Sequence, residues 1–249
     1  MTLVTRANGY LRGHPLLAQL ARRVTRPARH VGVPVLRGPA RGMRVSVGDS
    51  TMTRLVSRVE PEVEDALLSS LRPGDALWDV GANIGWFGLI GARAVGPQGS
   101  VTAFEPNPGN AAQIAINAAR NDVSISVVGA AVGREPGWAH FDTISSLTGR
   151  LSDTGTTIVP VVTMDAWAAE HGAPAVIKLD IEGSELAALA GAERLLATSR
   201  PVILCECHGT QIQVDRVLRA AGYDVRAVEM PDTTIENVPP WAHLLATPR

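Results

Sequence analysis

The sequence predicts one doubly wound α/β domain with a mostly parallel sheet, preceded by a basic N-terminal extension. Three observations predict it. Short apolar runs alternate with segments of helical period from about Glu60 onward, the pattern of a parallel sheet covered on both faces. Two of those runs end in an acid beside glycine, at Asp79-Val80-Gly81 and Asp180-Ile181-Glu182-Gly183, where such sheets bind ligands. No repeat of 20–50 residues and no long low-complexity tract argues for another architecture.

The 249 residues suffice for one sizeable core, and a hydrophobic fraction of 45% with 19% charged residues is ordinary for a globular chain. A formal net charge of -1 gives no reason to expect a nucleic-acid surface. Charge is uneven, however. Residues 1–50 hold nine arginines (Arg6, Arg12, Arg22, Arg23, Arg26, Arg29, Arg37, Arg41 and Arg44) against the single acid Asp49. Residues 1–55 are therefore read as a basic arm, helical and then leading into short strands, ahead of a domain over 56–249. No run reaches the ~18 apolar residues of a membrane span, and no signal peptide is evident, so a cytoplasmic protein is expected. Cys205 and Cys207 are expected on opposite faces of a strand, unbridged, in a reducing compartment. Lys178, the only lysine, is put down to coding bias.

In order, the periodicity predicts a helix over Glu60–Leu71, with acids in its first turn and Pro73-Gly74 beyond its end. A strand at Ala76–Val80, a helix over Ile84–Val95, a strand at Ser100–Phe104, a helix over Pro108–Asn121 and a strand at Val123–Val128 follow. Residues 134–162, rich in Thr, Ser and Gly, read as an inserted set of strands and loop. Then come a helix at Thr163–His171, a strand at Ala175–Asp180, a helix over Ser184–Thr198, a strand at Pro201–Cys207, a helix over Thr210–Ala221, a strand at Tyr223–Glu229 and a closing segment at Trp241–Ala246.

Chemistry concentrates at strand ends. In Trp78-Asp79-Val80-Gly81-Ala82-Asn83-Ile84-Gly85, Gly81 and Gly85 admit a ligand close to the backbone at a helix start. Asn83 stands where G-x-G-x-x-G requires its second glycine, and the acid Asp79 disfavours a pyrophosphate while favouring a ligand with an ammonium and a sulfonium. Twenty residues after Gly85, Glu105 closes a strand in Phe104-Glu105-Pro106-Asn107, placed to accept both ribose hydroxyls of a nucleoside. A third strand ends in Lys178-Leu179-Asp180-Ile181-Glu182-Gly183-Ser184-Glu185.

In order and spacing, Asp79–Gly85, Phe104–Asn107, Ala130-Ala131-Val132-Gly133, Val161–Asp165 and Ile177–Glu185 resemble the FkbM family of methyltransferases, from about Glu60 to about Glu229. The resemblance implies a seven-stranded class I methyltransferase fold with its last strand antiparallel. It also implies S-adenosylmethionine as cofactor and transfer of a methyl group to oxygen. Carried over, Asp79, Gly81, Asn83 and Gly85 hold the methionine part, Glu105 the ribose, and Asn107 and Ala131 lie beside the adenine. Asp180 and Glu182 face the cofactor amino group or the acceptor. The stretch Thr143–Arg150 departs from the glycine- and serine-rich loop of many relatives, where an acceptor binds.

Glu206 and His208 share a strand face near Asp180. His208 is expected to take the acceptor proton, with Glu206 orienting it and Asp180 stabilising its cation or replacing it as base. The catalytic set is thus His208, Asp180 and Glu206. A divalent metal on Asp180, Glu182, Glu206 and His208 is possible but not expected. His14, His30, His140, His171 and His243 are read as surface or packing residues. The acceptor is expected to be a small molecule bearing a hydroxyl, such as a sugar, polyketide or glycolipid intermediate. The rival functions are an NAD-dependent oxidoreductase and a non-catalytic nucleoside-binding module with a basic arm.

Overall fold

The computed structural model describes residues 32–46, 58, 60–143, 149–151 and 155–249. The chain divides into two compact units, Met1–Val59 and Glu60–Arg249. In the first, β1 (Gly32–Pro34) and β2 (Arg44–Ser46) pair antiparallel with Val33 opposite Val45. The helical part of the arm expected before them lies outside the described residues.

The second unit opens with α1 (Pro61–Ser70), started by Pro61, whose missing N–H costs nothing in a first helical turn. There follow β3 (Ala76–Val80), α2 (Trp86–Val95), β4 (Ser100–Phe104), α3 (Pro108–Arg120) and β5 (Ser126–Val128). The insert is a sheet of its own, with β6 (Ala131–Val132), β7 (Gly137–Thr143), β8 (Gly149–Leu151) and β9 (Thr157–Val162) in the order β6-β9-β7-β8. Then come α4 (Met164–His171), β10 (Val176–Leu179), α5 (Glu185–Ala190), α6 (Glu193–Thr198), β11 (Val202–Glu206), α7 (Gln211–Ala220), β12 (Tyr223–Ala227) and β13 (His243–Pro248).

The main sheet has seven strands in the order β12-β13-β11-β10-β3-β4-β5. The pairs β11–β10, β10–β3, β3–β4 and β4–β5 are parallel, whereas β13, the last strand, runs antiparallel to both neighbours. From β3 the chain winds outward through β4 and β5, then returns to β10 on the other side of β3. That reversal opens a crevice beyond the carboxyl ends of β3 and β10, where the acid-and-glycine turns lie.

The apolar runs are explained by burial on both faces of the sheet. Trp78, Val80, Phe104, Ile177, Leu179, Ile203 and Cys205 share one cluster with residues of α5, α6 and α7. Trp78 and Phe104 meet edge to face at 5.5 Å between ring centroids. On the other face Asp79 and Lys178 are register partners in β3 and β10, both buried, and the Lys178 ammonium lies 4.8 Å from the centre of the Phe87 ring.

Two expectations are corrected. The single helix over Ser184–Thr198 is two helices, because the carboxylate of Asp165 accepts the amides of Arg194 (2.9 Å) and Leu195 (2.7 Å) and so starts α6 afresh. Cys205 and Cys207 do not face opposite ways. Residues two apart on extended chain share a face, both thiols are free and buried in the same core cluster, and Cys205 Sγ donates to the carbonyl of Glu206 at 3.5 Å.

Candidate functional site

A cleft of about 740 Å³ lies at the crevice, lined from β3 and β4 by Val80, Gly81, Asn83, Phe104, Glu105 and Asn107. The insert contributes Ala131, Val132 and Phe141, and the β10 end contributes Asp180, Ile181 and Glu182.

Gly81 is required here. Its φ is +83°, and a Cβ on it would strike the carbonyl oxygen of Asp180, so only glycine lets the β3 and β10 ends come together. Asn83 also lies in the left-handed region, with φ 53°, and its amide donates to Glu105 Oε2 at 2.8 Å. The amide of Asn107 donates to Glu105 Oε1 at 2.8 Å. Each oxygen of the buried Glu105 thus takes one backbone N–H. Burial pushes its carboxyl up to about 7 against those two bonds.

Asp79 does not line the cleft. It is buried behind the turn, where Oδ2 accepts the amide of Gly88 in the first turn of α2 at 2.8 Å and Oδ1 has no hydrogen-bond partner. Burial raises it to about 6, with Lys178 opposing. Its role in the geometry is to hold the glycine turn against α2. Gly85 likewise sits outside the cleft, at the start of α2 with φ 84°, facing Ile114. Asn107 and Ala131 line the cleft as expected, but the Asn107 side-chain oxygen is committed to capping α3, accepting from Gly109 (2.9 Å) and Asn110 (3.3 Å).

The β10 and β11 ends carry the charged half. Lys178 donates to Asp180 Oδ2 at 2.6 Å. Burial works against both ions, yet Lys178 holds the Asp180 carboxyl below the usual carboxylate value, while Asp180, Asp79 and Glu206 hold the ammonium above its own. His208 Nδ1 donates to Glu185 Oε1 at 2.9 Å. Glu185 is completely buried and also accepts from Gly183 (2.8 Å) and Thr210 Oγ1 (3.0 Å). His208 Nε2 faces three carboxylates without closing on any: Glu182 Oε2 at 3.5 Å, Asp180 Oδ1 at 3.8 Å and Glu206 Oε1 at 3.8 Å.

The bond from Glu185 pushes the His208 imidazole up to about 9, overcoming burial. The expectation that His208 accepts a proton at neutral pH meets an obstacle here, since the ring already carries both protons below that value. Asp180 beside it is held ionised by Lys178. Asp180, Glu182 and His208 each offer a ligand atom within 4.8 Å of the others, a reach that fits a divalent cation. Lys178 already occupies the other oxygen of Asp180 and supplies positive charge there.

Two residues of this network were missed in the sequence. Lys178, dismissed as coding bias, is the buried counter-ion of Asp180; a lone lysine inside an apolar strand was the available signal. His243, read as surface or packing, is buried in β13 with Nδ1 donating to Glu229 Oε1 at 2.6 Å and Nε2 3.2 Å from Glu206 Oε2. Nothing in its local sequence announced it. His140 and His171 match the ordinary reading, each bonding a backbone carbonyl, at Gly155 and Trp167.

The sequence model of the methyltransferase FkbM domain matches residues 79–225, from the first acid turn to β12. The chain belongs to the FkbM methyltransferase family. It is 31% identical over 201 residues to the 31-O-demethyl-FK506 methyltransferase FkbM of Streptomyces tacrolimicus, covering 65% of this chain and 77% of that one. With the hexuronic acid methyltransferase AglP of Haloferax volcanii it shares 29% identity over 152 residues, covering 59% of this chain and 62% of that one. Among solved structures it is similar to methyltransferase FkbM of Methylobacillus flagellatus, with TM-score 0.52 and 22% identity over 70% of this chain and 43% of that one. It is also similar to precorrin-6y C5,15-methyltransferase of Geobacter metallireducens, with TM-score 0.51 and 16% identity over 82% and 94%. At those identities the solved structures establish the fold, the Rossmann-like class I methyltransferase fold, to which the FkbM family model adds membership of a methyltransferase family.

Proposed function

We propose that this FkbM-family protein transfers a methyl group from S-adenosylmethionine to a hydroxyl of a small molecule, a sugar, polyketide or glycolipid intermediate. One observation carries the reading. Three acids, Glu105, Asp180 and Glu182, line the cleft, and no Lys, Arg or His is found among its described lining residues. Such a wall disfavours the pyrophosphate of NAD and suits a nucleoside that carries positive charge. The donor set also fits: Glu105 brings a carboxylate to the cleft wall for the ribose hydroxyls, and the absent Cβ of Gly81 leaves the backbone approachable.

S-adenosylmethionine, when bound, supplies a methyl already activated by its sulfonium. The chain has to hold the acceptor in line and take up one proton. As the acceptor oxygen bonds to carbon it gains positive charge, so its proton becomes strongly acidic and a weakly basic carboxylate is sufficient. Asp180, ionised by Lys178 and facing the cleft, takes that proton. Glu182 lines the same wall, and the His208 imidazolium beside both gives the acceptor a hydrogen-bond donor. No step requires a metal ion on the Asp180, Glu182 and His208 group.

The test is incubation with methyl-labelled S-adenosylmethionine and three acceptors: 31-O-demethyl-FK506, glucuronic acid and a neutral methyl glycoside. We expect S-adenosylhomocysteine together with a methyl ether of one acceptor, identified by mass spectrometry and NMR. Binding of the cofactor without transfer to any acceptor would favour the non-catalytic module, and label on carbon or nitrogen would contradict oxygen transfer.

A further inference from the structure

The carboxylates around His208 pose a physical question. An imidazolium 3.8 Å from two carboxylate oxygens would ordinarily close to a hydrogen bond of about 2.8 Å, as His208 Nδ1 does with Glu185. It stays apart from Asp180, Glu206 and the nearer Glu182 at 3.5 Å, and behind the first two lies a buried cationic side chain. Asp180 gives Oδ2 to the buried ammonium of Lys178 at 2.6 Å and presents Oδ1 to His208. Glu206 has Oε2 3.2 Å from Nε2 of the buried His243, an ion-pair contact outside hydrogen-bond geometry, and presents Oε1 to His208. His243 is in turn fixed by Glu229 at 2.6 Å, and Lys178 by its seat against Phe87 beside Asp79.

We infer that Lys178 and His243 are a pair of positioning residues: each holds one oxygen of a carboxylate from behind, so that Asp180 and Glu206 face His208 without collapsing onto it, keeping open a polar gap for the acceptor hydroxyl. The gap opens on the cleft through Asp180 and Glu182, which line it. At 3.8 Å the two atoms are too close for an oxygen to sit between them, so a hydroxyl would meet His208 Nε2 and Asp180 Oδ1 from the cleft side. The two holding groups come from opposite sides of the β10–β11 pair, Lys178 on β10 itself and His243 from β13, the antiparallel neighbour of β11. The purpose assigned to the gap rests on the proposed methyl transfer, but the holding itself does not.

The experiment therefore uses the full chain without cofactor or acceptor. Crystal structures of Lys178→Met and His243→Leu are compared with the wild type, and the His208 ring N–H protons are followed by NMR on histidine-labelled protein. With Lys178→Met we expect Asp180 to turn and the His208–Asp180 separation to shorten by about 1 Å, to hydrogen-bond length, with the Nε2 proton moving downfield. With His243→Leu the same is expected of Glu206. His243→Gln keeps a donor toward Glu206 and should restore the wild-type signal, which a general loss of packing would not allow. If Lys178→Met does not fold, Lys178→Met/Asp180→Asn removes both charges, and the His243 pair carries the test alone. Folded variants in which the His208 signal and both separations stay unchanged would overturn the proposal. If the geometry closes as expected but no acceptor is ever methylated, the holding stands and the proposed function fails.

Discussion

The two halves of the cleft are built by different means. On the β3–β4 side the binding surface is mostly backbone: a turn that only glycine can make at Gly81, a left-handed Asn83, and one carboxylate, Glu105, clasped by two amides. On the β10–β11 side it is side-chain charge. Lys178, Asp180, Glu182, Glu185, Glu206, His208, Glu229 and His243 interact through ion pairs and hydrogen bonds drawn from four stretches of chain. The first construction fits a cofactor that does not vary. The second can be retuned by single substitutions, as a site for differing acceptors requires.

The comparison is broken most severely at Asp180. If it receives the acceptor proton, Asp180→Asn should lower turnover by ~10²–10⁴-fold, the scale of a positioned base, while cofactor affinity changes far less. Single-turnover rates and calorimetry on the same protein separate the two effects. His208→Ala should cost less than Asp180→Asn, and the reverse order would return the base to His208.

On the cofactor side, Glu105→Ala should weaken S-adenosylmethionine by ~1.5–3 kcal/mol, the scale for losing hydrogen bonds to a charged group. The same carboxylate gives a pH dependence. With Glu105 near 7 in the empty protein, more of it is ionised as pH rises, so affinity should be about tenfold higher at pH 8 than at pH 6 and level off above. Glu105→Ala should abolish the slope.

This contrast also explains what could be read in advance. The cofactor half is local: Gly81, Asn83 and Glu105 lie within one β-α-β unit, and their spacing carried the signal. The mostly parallel sheet follows from the alternation of strands and helices, and its seven strands with the last antiparallel follow from the family resemblance alone. A strand-end acid such as Asp79 looks the same in sequence whether it faces the cleft or the helix behind it. The charged half is not local. His243 reaches Glu206 only because β13 runs antiparallel beside β11, and Glu185 reaches His208 across 23 residues. No period or motif encodes either contact. Lys178 was within the motif but was judged by composition instead of by its apolar surroundings.

A smaller effect sharpens the same contrast through stability. His208 and His243 both stand at about 9 in the folded chain, above the ordinary histidine value of 6.5. Groups raised on folding stabilise fully below the unfolded value and lose that contribution as pH rises through the folded one. The melting temperature should therefore fall between about pH 6.5 and pH 9, and fall less in His243→Leu. The smallest expected effect is none: treatment with EDTA should leave turnover unchanged, whereas loss restored by magnesium would make Asp180, Glu182 and His208 ligands.

The most direct test of the account is calorimetric titration of the wild type and Glu105→Ala with S-adenosylmethionine and with NAD. The account predicts that the wild type binds S-adenosylmethionine, that NAD shows no heat of binding, and that the variant loses about tenfold or more in affinity for the methyl donor. Equal affinity in the two proteins, or preferential binding of NAD, would contradict it.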